Sequence, residues 1–196
     1  MLASITPLGE RGRRSRWGVT VGAFLIGSTI AGAGLGALAG GAGSLVAGHA
    51  VSPRARLVVL AAALAVAILV DLRAGPAPGP RRQVNERWLD ELRGWVYGLG
   101  FGAQLGLGIT TIVTSAATYV ALIAAFLSGD SARGAVVLGC FGAVRGLTPL
   151  VTVRVQQPRQ LFAIHARLEA LRAPVGRTVV ALLSGMLALA AVGIVA

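Results

Sequence analysis

Arg145 stands alone as a charge within an apolar run, Gly134 to Val153. A guanidinium at that depth is costly in lipid, so it should face protein or water and meet an anion or a counter-charge. The chemistry open to it is anion binding or gating, or a fixed ion pair. Asp71, at the end of the run Leu57 to Leu72, is the candidate counter-charge; Asp130 and Glu86 lie at less suitable depths. Pro149, four residues after Arg145, removes a helical hydrogen bond and predicts a bend. Gln104 lies among glycines in a third run, Trp95 to Gly129, and its amide needs partners that lipid does not supply. Thr110, Thr111, Thr114, Ser115, Thr118 and Tyr119 follow it, although a hydroxyl can satisfy itself on the carbonyl one turn earlier. Ser28 and Thr29 sit at comparable depth in the first run, which predicts two related helices facing a shared cavity. Gln104, Thr111, Arg145 and Asp71 are thus the candidate transport-path or gating residues.

Other chemistries find no support. There is no Ser/His/Asp grouping, phosphate-binding loop or dinucleotide fingerprint, and the glycine ladders lack a strand–turn–helix context. His49 and His165 have no second ligand at metal spacing. A single cysteine, Cys140, rules out an internal disulfide and any paired-thiol chemistry. The expectation is no enzyme, no metal and no cofactor.

The elements that must hold these residues are membrane helices. Of 196 residues, 55% are hydrophobic and 13% charged, too few charges to cover a water-soluble domain. Five apolar stretches result: Gly18 to Gly48, Leu57 to Leu72, Trp95 to Gly129, Gly134 to Val153 and Thr178 to Ala196. A bilayer core takes roughly 20 helical residues, so the second is the marginal one. All 18 basic residues are arginine and the net charge is +11. Four arginines lie in the N-terminal arm, five between Arg73 and Arg93, and five between Arg154 and Arg177, whereas the other turns hold only Arg54, Arg56 and Arg133. The positive-inside rule then puts the N-terminus in the cytoplasm and the C-terminus outside a bacterial cytoplasmic membrane. The charge is read as topology and as attraction to anionic phospholipids, not as nucleic-acid binding. The first run is about twice a leader's apolar length and rich in glycine, the mark of a span and not of a cleaved signal.

The chain also resembles itself. At an offset of 78, Trp17 falls on Trp95, Gly22 on Gly100, and Pro80-Arg81 on Pro158-Arg159; at 79, Leu89-Asp90 and Leu92-Arg93 fall on Leu168-Glu169 and Leu171-Arg172. The expected organisation is a single all-α, polytopic transmembrane domain of about five helices built from a duplicated unit. Residues 1–16 form a basic arm, 17–94 and 95–173 the two units, and 174–196 the final transmembrane helix. Apolar positions after Pro80 (Val84, Trp88, Leu92, Trp95) and after Pro158 (Leu161, Ile164, Leu168, Leu171) predict cytoplasmic amphipathic helices, either along the membrane surface or packed against the bundle as connecting helices. Glycine ladders at four-residue steps, Gly32/Gly36/Gly40, Gly98/Gly102/Gly106 and Gly142/Gly146, predict close helix packing, with a second copy or a membrane-complex partner as a further user of that surface.

Residues 98–151 resemble the cytochrome c biogenesis transmembrane family, the thiol electron carriers that include the membrane domain of the disulfide reductases. The likeness is one of order: a Gly-rich opening, a polar break, a helix ending near Ser128-Gly129, then a helix closing on Gly146-Leu147-Thr148-Pro149. That family, like its small transporter relatives, is built from duplicated three-helix units. Its redox cysteines sit in a Pro-Cys context at the break, where this chain has Gly108-Ile109-Thr110-Thr111. The resemblance therefore implies a solute-moving or accessory role without electron transfer. The functional expectation is a small transporter or permease-like protein for a solute or ion, with a non-catalytic membrane subunit or assembly factor as the alternative.

Overall fold

Long runs of Ala, Leu, Val and Gly can satisfy their backbone within lipid only as helices or as a closed barrel. The computed structural model describes residues 5–47, 51–73, 77–79, 88–108 and 113–195, and among these every regular element is helical. In chain order they are α1 (Pro7–Gly12), α2 (Trp17–Ala47), α3 (Pro53–Leu72), α4 (Trp88–Glu91), α5 (Gly94–Gly106), α6 (Ala117–Leu127), α7 (Ser131–Gly146) and α8 (Pro158–Val195), with a 3₁₀ segment at Thr148–Thr152 after α7. Four stretches are long and apolar enough to cross a membrane: Trp17–Val46, Pro53–Leu72, Ser131–Thr152 and Pro158–Val195. Leu38, Leu69, Leu182 and Leu189 point outward and are exposed, as lipid-facing residues would be.

Several elements differ from the sequence expectation. The marginal second run is a full 20-residue helix, because Ser52 caps it by accepting from Ala55 N–H and Pro53 supplies its first position. The third run, long enough for a single span but carrying the polar stretch Gly108-Ile109-Thr110-Thr111, forms two helices, α5 and α6. After Pro158 no separate amphipathic helix forms: α8 runs on to Val195 with Pro174 inside it. The corresponding segment after Pro80 lies outside the described residues up to position 87, and Trp88 stacks on Phe101 of α5, ring centroids 5.9 Å apart. The basic arm is folded as well. Thr6 caps α1, and Ile5, Thr6 and Glu10 are buried.

The chain divides into two compact units, one of Met1–Gly32, Arg82–Thr111 and Gly139–Arg172, the other of Ala33–Arg81, Ile112–Leu138 and Ala173–Ala196. In the first, Gly98, Gly102 and Gly106 lie directly against the carbonyls of Thr20, Phe24 and Ser28. Each pair is 78 residues apart in the chain, so α5 runs parallel to the start of α2. Contacts this close replace side-chain packing by backbone-on-backbone contact, which only glycine permits. Gly142 of α7 also abuts the Ser28 carbonyl, and the Ser28 hydroxyl donates to the Gly142 carbonyl at 2.6 Å. In the second unit Gly36, Gly40 and Gly43 abut the carbonyls of Gly134, Asp130 and Phe126. Leu64, Ala67, Ala116, Val120, Leu183 and Ala190 form the core of that unit.

Candidate functional site

The break in the third run begins at Gly108. Its φ of +70° is a left-handed conformation that suits glycine, and its N–H bonds back to Leu105, which closes α5. Residues 113–115 carry no regular structure, and α6 begins at Ala117. Residues 109–112, and with them the candidate Thr111, lie outside the described residues.

Within the second unit α3 holds both ends of α6. Asp71 Oδ1 accepts the Ala116 N–H at 2.8 Å and Oδ2 accepts the Ser115 hydroxyl at 2.6 Å, while Ser115 Oγ accepts the Ala117 N–H at 3.1 Å. At the other end Arg56 Nη1 donates to the Leu127 carbonyl at 3.4 Å. A carboxylate at the amino end and a guanidinium at the carboxyl end both complement the helix dipole. The two contacts make α6 antiparallel to α3. Asp71, expected as a counter-charge for Arg145, is engaged locally instead, since both of its oxygens serve the start of α6.

Arg145 lies near the end of α7 in the first unit, with its guanidinium 5.5 Å from the centre of the Phe141 ring. Its Nη1 is buried and makes no hydrogen bond among the described residues. Gln104 is half-buried on α5, two positions from both Gly102 and Gly106, so it projects roughly 200° around the helix from the glycine ladder. Ser28 does not face a cavity. It is fully buried where α2, α5 and α7 meet, because the glycines let the three backbones close up around it.

One buried polar group escaped the sequence reading. Glu10 of α1 is wholly buried; the hydroxyls of Thr20 (2.8 Å) and Tyr97 donate to its two oxygens, and Arg13 pairs with it at 3.7 Å. Arg13 also lies over the Tyr97 ring, 5.8 Å from its centre. The available signal was its isolation: Glu10 is the only acid before Asp71 and sits among arginines. Above this network the first turns of α2 and α5 open a cleft of about 670 Å³, lined by Arg13, Arg14, Arg16, Arg93, Glu91 and Trp95, among others. Arg14 takes a left-handed φ of 55° in the turn between α1 and α2 that brings the arm's arginines to this cleft.

No family model, no curated protein and no solved structure matches the chain. The resemblance of residues 98–151 to the thiol electron carriers accordingly gains nothing from these comparisons. Geometry alone remains as the guide to function.

Proposed function

We propose that this protein moves a small solute or ion across a bacterial cytoplasmic membrane, in five passages of which the third is interrupted. The observation that carries the reading is the interruption itself. A helix that stops within an apolar run leaves backbone groups that lipid cannot satisfy, so the break belongs against protein or beside water, as in the discontinuous helices of transporters. The parallel course of α5 and the start of α2, and the antiparallel course of α6 and α3, support a segment that crosses once and does not fold back. They also fit a cytoplasmic N-terminus and an external C-terminus. The 78-residue spacing of the α2–α5 contacts equals the offset of the sequence repeat, which supports a duplicated unit related by an axis along the membrane normal. Arg145, with Gln104 and Thr111, lines the path in this reading and favours an anionic cargo.

The test uses single cysteines at positions 107–116 in a Cys140→Ser background, in sealed vesicles treated with a membrane-impermeant thiol reagent. Labelling within the break, together with efflux of chloride, acetate or phosphate from proteoliposomes of the purified protein, is the expected result. A break that stays unlabelled from both sides overturns the path. Copurification with a stoichiometric partner in mild detergent, without efflux, would establish the accessory-subunit alternative instead.

A further inference from the structure

The arginine-lined cleft has no role in the proposed path, and its chemistry is distinct. Its wall carries Arg14, Arg16 and Arg93, all exposed, with Glu91 as the only facing acid among the described residues besides the buried Glu10. Arg13 is already paired with Glu10, so three guanidinium groups confront one carboxylate. The backbone adds to the field in the same sense. α2 and α5 both begin here and run parallel, and α5 starts at Arg93 without a side-chain cap, so two positive helix ends open on one place. Forked guanidinium donors around a positive pocket fit the oxygens of a phosphate group.

The apolar lining of the cleft narrows the choice of phosphate. Val19, Leu92 and Trp95 also line it and are 52%, 40% and 51% exposed. A free phosphate ion has no use for an apolar lining, whereas a phospholipid places acyl chain beside its headgroup. Tryptophan is also the residue favoured at the headgroup level of a bilayer. We infer that this cleft is a binding site for the phosphate headgroup of an anionic phospholipid, seated on Arg14, Arg16 and Arg93 with its first acyl carbons against Val19 and Trp95. The site is independent of transport. It requires only that the starts of α2 and α5 lie at a membrane surface.

Lipid exchange onto the full-length protein in non-ionic detergent, read by native mass spectrometry, tests it with phosphatidylglycerol, phosphatidylcholine and inorganic phosphate as probes. Juxtamembrane arginines each contribute several-fold to anionic-lipid binding, so phosphatidylglycerol should bind about tenfold more tightly than phosphatidylcholine. The triple substitution Arg14→Gln/Arg16→Gln/Arg93→Gln should bring that ratio to about one, while each single substitution weakens it about twofold and covers the case of a triple variant that fails to fold. Arg159→Gln/Arg167→Gln/Arg172→Gln, which removes the same charge from α8, should lower the ratio clearly less than the cleft triple does. Equal loss in this control, or no loss in the cleft variants, would overturn a specific site. Saturation by inorganic phosphate without preference for phosphatidylglycerol would overturn the lipid and assign the cleft to a soluble phosphate.

Discussion

Asp71 and Arg56 stand at opposite ends of α6, the carboxylate on the Ala116 N–H and the Ser115 hydroxyl and the guanidinium on the carbonyl of Leu127. A short helix of 11 residues has little cooperativity of its own. Here two charged side chains of one neighbouring helix fix its position and direction. Asp71→Ala should cost about 1–2 kcal/mol, the usual loss of a helix cap. Asp71→Asn should cost less, since the amide oxygen keeps one acceptor. Thermal unfolding in detergent by intrinsic fluorescence reads both, and equal effects of Asn and Ala would refute capping.

The glycines make a sharper test, because their surroundings differ. A Cβ at Gly102 or Gly106 would run into the backbone of Phe24 or Ser28, whereas at Gly18, Gly22 and Gly34 it would meet nothing within 4 Å. Overpacking of this kind costs about 1–3 kcal/mol, so Gly102→Ala should lower the melting temperature clearly. Gly22→Ala and Gly34→Ala should leave it the same or raise it slightly, alanine being the better helix former. Similar melting temperatures for all three would mean that the parallel α2–α5 contact is not made.

Glu10 and Tyr97 are joined across 87 residues of chain. Tyr97→Phe leaves one carboxylate oxygen short of a donor and should cost about 1–3 kcal/mol. Glu10→Ala removes the acceptor of the Thr20 and Tyr97 hydroxyls and the carboxylate that pairs with Arg13, and should cost about 3–5 kcal/mol. In a double-mutant cycle the two effects should fall short of adding by about 1 kcal/mol or more. Strict additivity would separate the two residues.

Arg145→Leu should insert and fold normally, since the buried Nη1 gives up no hydrogen bond. A half-buried charge exchanged for an apolar side chain of similar size is often neutral or stabilising. Anion efflux from proteoliposomes should nonetheless fall to background. Wild-type efflux in this variant would remove Arg145 from the path.

Different parts of the molecule were legible to different degrees. The close helix contacts could be read from the glycines, because glycine at four-residue steps in a helix has few uses besides bringing backbones together; Gly98, Gly102 and Gly106 are all in contact. Gly108 opens the polar stretch Gly108-Ile109-Thr110-Thr111, where the resemblance put a break, but its left-handed φ was not readable, since one glycine among 28 carries no mark of it. Asp71 stood out as an acid in an apolar run, but the sign of a charge does not name its partner, and the N–H groups at the start of α6 are invisible in a list of side chains. The Glu10 network was hidden for another reason. Thr20 and Tyr97 become its donors only through a tertiary contact, and nothing in their local sequence sets them apart.

The contact between α2 and α5 also has a timetable. Its partners are 78 residues apart, and at 5–20 residues per second the ribosome delivers α5 roughly 4–16 s after α2. During that interval the stripe from Thr20 to Ser28 has entered the bilayer while the glycines it will meet do not yet exist. A nascent chain in this state carries half of an interface that another nascent chain, held at the same stage on a neighbouring ribosome, could contact. Strong overexpression, which puts more chains at this stage side by side, should raise the share of mispaired chains before any loss of intrinsic stability is seen.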